Sequence, residues 1–287
     1  MALSGTYFGI KSSTLFQILK YSIYLLITYN VVYFTVEDYM ASEHRFRDGV
    51  SWDNFTDAFA QAVDSIAWLV LLLLLELETW VIDDEKHKGL LRWTINALAA
   101  VCYFFIVKAF IGYAGKLEFV LDFTPSDIAA ACSAVGTHLS YMVDIDLYLA
   151  LTADSCAQVG AVPYYVNELN SIIASDKKYS DAILLGYTEV ANAGTWILIV
   201  LVLWVDVYLQ IRGELTAKLY RINVWIKAVL YSILVVAAII WGIYGNFMDF
   251  WDAFIWIAAF VFIEMNLLQW HEETEADAAL SGGERPS

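Results

Sequence analysis

The chain has 287 residues, of which 60% are hydrophobic and only 17% charged. Soluble domains sit nearer ~45–50% apolar and ~25% charged, so a water-soluble enzyme is excluded, as are a disordered chain and a disulfide-dense secreted domain. What remains is a polytopic membrane protein, and a net charge of −16 argues against nucleic acid as a partner and against docking on anionic lipid from the outside.

A spanning helix needs about 20 mainly apolar residues. In chain order the stretches expected to span are 15–36, 65–82, 91–114, 195–211, 224–244 and 247–270. The first is too long and too weakly flanked for a cleaved signal peptide, so it reads as a retained helix. The expected fold is therefore an all-α polytopic membrane protein, with six transmembrane helices in three hairpins and a small helical extracytoplasmic cap. Its expected parts are 1–114, with an acidic outer loop at 37–64; the cap at 115–194; helices four to six at 195–270; and an acidic disordered cytoplasmic tail at 271–287.

Orientation follows from the short connections. One side carries Lys11, Lys20, Lys86, Lys88, Arg92, Arg212, Lys218, Arg221 and Lys227, against Arg45 and Arg47 in the first loop of the other. Both termini are thus expected in the cytoplasm, with the protein in a bacterial inner membrane. The opposite face is acidic: 37–64 holds seven acids against two bases, 115–194 holds ten against three, and Asp249 and Asp252 add two more acids. An acidic outer face is a solvated surface on one reading and a vestibule that concentrates cations on the other.

Within the cap, Thr124-Pro125-Ser126-Asp127 reads as a helix start, with helices expected at 128–151, 165–175 and 180–193. Cys132 and Cys156 share this exterior segment and are expected to pair, while Cys102 reads as a small core residue. Asp144-x-Asp146 lacks the glycine and closing glutamate of a calcium loop.

A short pattern recurs along the chain. Asp64-x3-Trp68, Asn192-x3-Trp196 and Asp252-x3-Trp256 match in type and spacing, and Gly112-x-x-Gly115 resembles Gly242-x-x-Gly245. Together they suggest an internal threefold repeat. The tryptophans Trp52, Trp68, Trp80, Trp93, Trp196, Trp225 and Trp270 fall near predicted interfaces, where such rings form belts.

An ionisable side chain inside a span is costly and is a functional candidate by default. Glu76, Glu78, Asp206 and Glu264 are the acids so placed, with Lys20, Arg92 and Lys227 as their expected ion-pair partners and Lys108 standing apart. Glu76 and Glu78 are two positions apart and face different ways around a helix. Either the acids and bases pair across helices and fix register, or the carboxylates converge beside an aqueous path and bind or relay a cation. No nucleotide, nucleophile or haem signature is present, so no enzyme, cofactor or metal site is expected. The functional expectation is a cation channel or transporter, for protons or metal or alkali cations, using these carboxylates. The alternative is a non-conducting assembly or sensor subunit whose acidic cap binds a protein. A homo-oligomer or a larger membrane complex fits either.

Overall fold

The computed structural model describes residues 6–7, 10–77, 89–212 and 216–261. A two-stranded hairpin, β1 (Thr6–Tyr7) and β2 (Ile10–Lys11), leads into α1 (Ser12–Arg45). The short α2 (Phe55–Ala58) turns directly into α3 (Ala60–Glu76), and α4 (Leu90–Leu121) returns alongside α3. A sheet segment follows, then α5 (Asp176–Ile211), α6 (Ala217–Tyr244) and a helix α7 described over 247–261.

The sheet corrects the expected all-α fold. Five strands, β3 (Thr124–Ser126), β4 (Ser140–Asp144), β5 (Leu147–Ala150), β6 (Tyr164–Asn167) and β7 (Ile172–Ser175), pair in the order β3-β6-β7-β4-β5. The β4–β7 pair is parallel and the others antiparallel. The helices expected at 128–151 and 165–175 are thus strands and turns. The proline read as opening a helix lies instead on the edge strand β3, where its missing N–H costs nothing. Only the helix expected at 180–193 exists, as part of α5.

The number of spans is corrected as well. Among the described residues three helices are long and apolar enough to cross a membrane: Leu90–Leu121, Asp176–Asp206 and Lys218–Tyr244. The stretch at 15–36 is diluted by Lys20, Thr28 and Asn30 within α1, and the expected spans at 65–82 and 247–270 run past the described residues, which stop at 77 and 261. The helices nonetheless carry apolar outer faces. Leu25, Tyr29, Val32 and Val36 are exposed along one side of α1, and Val229, Val236 and Ile243 along one side of α6.

Alternation in the central strand β7 builds two cores from one sheet. Ile172 and Ala174 face the helices and pack with Val120, Met142, Leu185 and Trp241. Ile173 faces the other way and packs with Tyr141, Tyr164 and Val159 around Cys156. The Cys132–Cys156 disulfide forms as expected, with Cα atoms 4.9 Å apart, joining two 3-10 turns. Cys102 is a free, buried residue of the helix core. Closing a loop with a separation of 24 residues stabilises the fold by about 3.5 kcal/mol in the chain-entropy model. Cys132→Ser is therefore expected to raise proteolytic nicking within 124–175 while leaving the helices intact; equal digestion of variant and parent would reject this.

Candidate functional site

The helix ends nearest the sheet enclose a cavity of about 60 Å³, room for a few water molecules. Every long helix contributes to its wall. Gln61, Asp64 and Trp68 come from α3, Tyr113 from α4, Glu189, Asn192 and Trp196 from α5, Trp241 from α6, and Asp249, Asp252, Trp256 and Phe260 from α7. The three Asp/Asn-x3-Trp segments, far apart in sequence, therefore meet at one place. Spacing of four puts both members of each segment on one helix face. Tyr113 donates to Asp64 at 3.3 Å, and the fully buried Asn30 donates to Asp252 at 2.8 Å.

Between cavity and sheet lies a charged network. Lys116 is 2% exposed, and its Nζ donates to Asp146 Oδ1 at 2.5 Å and Glu189 Oε1 at 2.9 Å. Asp146 sits in the tight β4–β5 connection, so this lysine ties the sheet to α4 and α5. Asp38 of α1 accepts the backbone N–H of Ala62 at 2.8 Å, holding the start of α3. Arg45 lies over the Phe119 ring at 5.2 Å. At the start of α7, Asp249 N–H donates to Asn246 Oδ1 at 3.0 Å, an N-terminal cap.

The charge balance of this region is uneven. Asp38, Asp146, Glu189 and Asp249 are buried, and Glu37, Asp64 and Asp252 are half-buried. Against these seven carboxyl groups stand Lys116 and Arg45. Glu189 Oε2 and Asp249 Oδ1, both on cavity-lining residues, have no hydrogen-bond partner. Two carboxylates 5 Å apart repel by ~3 kcal/mol even at an effective dielectric of 20, so a set with this excess is stable only if protons or bound cations offset it.

No protein-family model, characterised protein or solved structure matches the chain. The functional reading therefore rests on this geometry alone. Among the described residues, no group of three or more histidine, cysteine or acidic side chains is arranged to hold a metal ion.

Of the expected site residues, those that are described lie away from the cavity. Glu76 accepts from Lys20 at 2.5 Å and from the Tyr24 hydroxyl at 3.2 Å. Asp206 accepts from Asn223 and lies 3.5 Å from Lys227. Arg92 is exposed in the first turn of α4, while Glu78 and Glu264 lie outside the described residues. The acids Glu76 and Asp206 are thus each paired with a base on another helix rather than brought to the cavity. Of the tryptophans, Trp52, Trp93 and Trp225 are exposed, but Trp68 and Trp196 are buried in the cavity wall, and Trp80 and Trp270 lie outside the described residues. Sequence reasoning missed Lys116, Glu189, Asp249 and Asp38, counting them as surface charge; the i, i+3 pair Asp249 and Asp252 amid apolar residues was the available signal.

Burial pushes the Asp38 carboxyl up to about 7, opposed by Lys116, the Ala62 N–H and Arg45 and reinforced by Asp146. Glu37 beside it is raised for the same reason and by Asp146. The folded state keeps the Asp38 proton up to about pH 7, whereas the unfolded chain releases it near the ordinary 3.8. Stability therefore falls as pH rises through that window and levels off above it. Asp38→Asn keeps an acceptor for Ala62 and is expected to flatten this slope and raise the melting temperature near pH 8. Thermal unfolding between pH 5 and pH 8 tests it, and an unchanged slope would reject the assignment.

Proposed function

We propose that this is a multi-pass membrane protein that draws small cations, protons included, from its acidic outer side into the carboxylate-lined cavity and passes them across the bilayer. One observation carries this reading: the buried and half-buried carboxyl groups outnumber the bases Lys116 and Arg45 among them, and two of their oxygens, Glu189 Oε2 and Asp249 Oδ1, have no hydrogen-bond partner. The lysines and arginines of the short connections at the end of the bundle away from the sheet support a cytoplasmic side there, which puts the sheet outside, on the side where 37–64 and 115–194 carry most of the negative charge. Such a face raises the local concentration of cations at the entrance.

Below the cavity the path is closed. Trp196 packs on Phe260 with centroids 4.5 Å apart, Trp68 stands about 6 Å from both, and Ile27, Ile199 and Leu234 fill the space beneath with no exposure. Passage requires these rings to part. The test is reconstitution in liposomes with proton and potassium flux measured for the parent, Asp249→Asn and Glu189→Gln. Flux is expected in the parent and at least tenfold less in either variant, at unchanged expression. Absence of flux under every imposed gradient would overturn the transport reading. The packed apolar floor favours a second reading, a membrane sensor that binds a cation in the cavity without releasing it inward; saturable cation binding without flux is its signature.

A further inference from the structure

We propose that the groove where the end of α1 meets the sheet is an esterase site, with Ser140 as the nucleophile and His44 as its general base. The inference is independent of the cation reading and concerns a different part of the molecule. Ser140, the first residue of β4, holds its hydroxyl oxygen 2.8 Å from Nδ1 of His44 on α1 and 3.3 Å from a terminal nitrogen of Arg47. All three residues line an open groove of about 560 Å³, a size typical of small-molecule sites. The direction of the serine–histidine bond follows from its neighbours. A guanidinium only donates, so Arg47 occupies a lone pair of the serine oxygen. Among the described residues His44 is the one acceptor this hydroxyl has, so the serine proton points at Nδ1. Burial, and then Arg47, hold His44 below the usual imidazole range against the pull of Glu43, which keeps the ring neutral near pH 7. A neutral imidazole accepting from a serine is the ground state of a nucleophile–base pair.

The reaction needs no other co-reactant than water. The serine oxygen bonds to the acyl carbon of an ester while its proton passes to His44 Nδ1. The ester C–O bond then breaks, and the departing alcohol takes that proton from His44. Water repeats the exchange on the acyl-serine, which releases a carboxylic acid and restores Ser140. Arg47, beside the attacking oxygen, offsets the negative charge that builds in both steps. Its guanidinium is anchored by donating to the carbonyl oxygens of His138 at 3.5 Å and Ser171 at 3.3 Å. Those two residues have positive φ, 59° and 52°, a conformation that is uncommon outside glycine and gathers at functional sites. Leu139, Ala150 and Leu151 form the apolar part of the groove, which suits the acyl chain of a short carboxylic ester. No local motif announces the pair, because its members are 96 positions apart.

The experiment uses the full chain in detergent. The folded parent is treated with a fluorophosphonate, which labels activated serines, and the labelled residue is mapped by mass spectrometry. Hydrolysis of p-nitrophenyl acetate and butyrate is followed in parallel. Label on Ser140 and saturable hydrolysis of at least one ester are expected. Ser140→Ala and His44→Gln should each abolish the label and slow hydrolysis by about a hundredfold or more, the lower end of what a general base contributes. Glutamine keeps an acceptor for the serine hydroxyl but cannot take its proton, so a merely structural bond would survive that change. Ser133→Ala, on the neighbouring 3-10 turn, should alter neither readout. A folded parent with no label on Ser140 overturns the proposal, and that result requires no variant to fold. So does the absence of saturable hydrolysis of both esters. Hydrolysis unchanged in Ser140→Ala or His44→Gln of unaltered melting temperature overturns it too, and reduces the Ser140–His44 contact to a tie between α1 and the sheet.

Discussion

Replacing Lys116 by methionine is expected to destabilise the protein by about 3–5 kcal/mol, the largest effect anticipated for any single charge change. The ammonium group is 2% exposed and lies 2.5 Å from Asp146 and 2.9 Å from Glu189. Methionine matches the length of the stem, so the loss is not one of packing. What remains is two carboxylates without their cation, in a region already rich in acids through Asp38, Glu37 and Asp249. The remedy identifies the cause. Lys116→Met combined with Asp146→Asn and Glu189→Gln removes the stranded charges and should recover most of the stability, since a buried ion pair replaced as a unit is often neutral. Thermal unfolding in detergent measures both. A single variant as stable as the parent, or a triple variant no better than the single, would show that Lys116 does not neutralise this cluster.

Lys116 also illustrates what the sequence hides. As the second residue of a long polar-looking segment it reads as a loop lysine, because α4 was expected to end at 114. The helix in fact continues to Leu121, and only the arrival of Asp146 from the sheet and Glu189 from α5 makes its burial tolerable. No local periodicity announces a partner 30 or 73 positions away. The same holds for the sheet. Strand β7 is a run of four buried residues, Ile172–Ser175, too short for alternation to separate it from a helix turn. Gly194 lies inside the continuous α5, where an added Cβ would meet the Phe110 ring at 3.3 Å, so it serves close packing.

Other features were readable because their physics is local. Composition alone separates this chain from soluble proteins. The cysteine pair shared one segment and formed a bond. The Asp/Asn-x3-Trp spacing carries its own structural logic, an acid and an indole one turn apart on one face, and these residues do line the cavity. Acids within apolar stretches were readable as costly charges, and Glu76 and Asp206 lie against Lys20 and Lys227, while the acids that line the cavity had been counted as surface. Sequence identifies residues that need a partner; the fold decides which of them go without one.

Gly112 provides the sharpest steric test. A Cβ there would lie 2.8 Å from the carbonyl oxygen of Thr56, 2.9 Å from Ala60 Cβ and 3.3 Å from Asp57 Cα. Two of these three atoms are backbone, and all belong to the turn where α2 passes into α3, so no flexible side chain can yield. Small residues at such crossings let helices approach closely. Gly112→Val is expected to push α4 from α3 and cost on the order of 3 kcal/mol, the upper range for overpacking. Gly115, its companion in the sequence motif, has nothing within 4 Å of an added Cβ. Gly115→Ala should therefore gain up to ~1 kcal/mol through helix propensity. The two variants, three residues apart and indistinguishable in the motif, are expected to move stability in opposite directions. The functional consequence follows from position. Tyr113, next to Gly112, donates to Asp64 at the cavity wall, so displacement of α4 breaks that bond and should weaken cation binding even where Gly112→Val remains folded. Melting temperatures and cation titrations of the two variants together provide the test. Equal tolerance at both positions would mean that the α3–α4 contact is looser than these distances require.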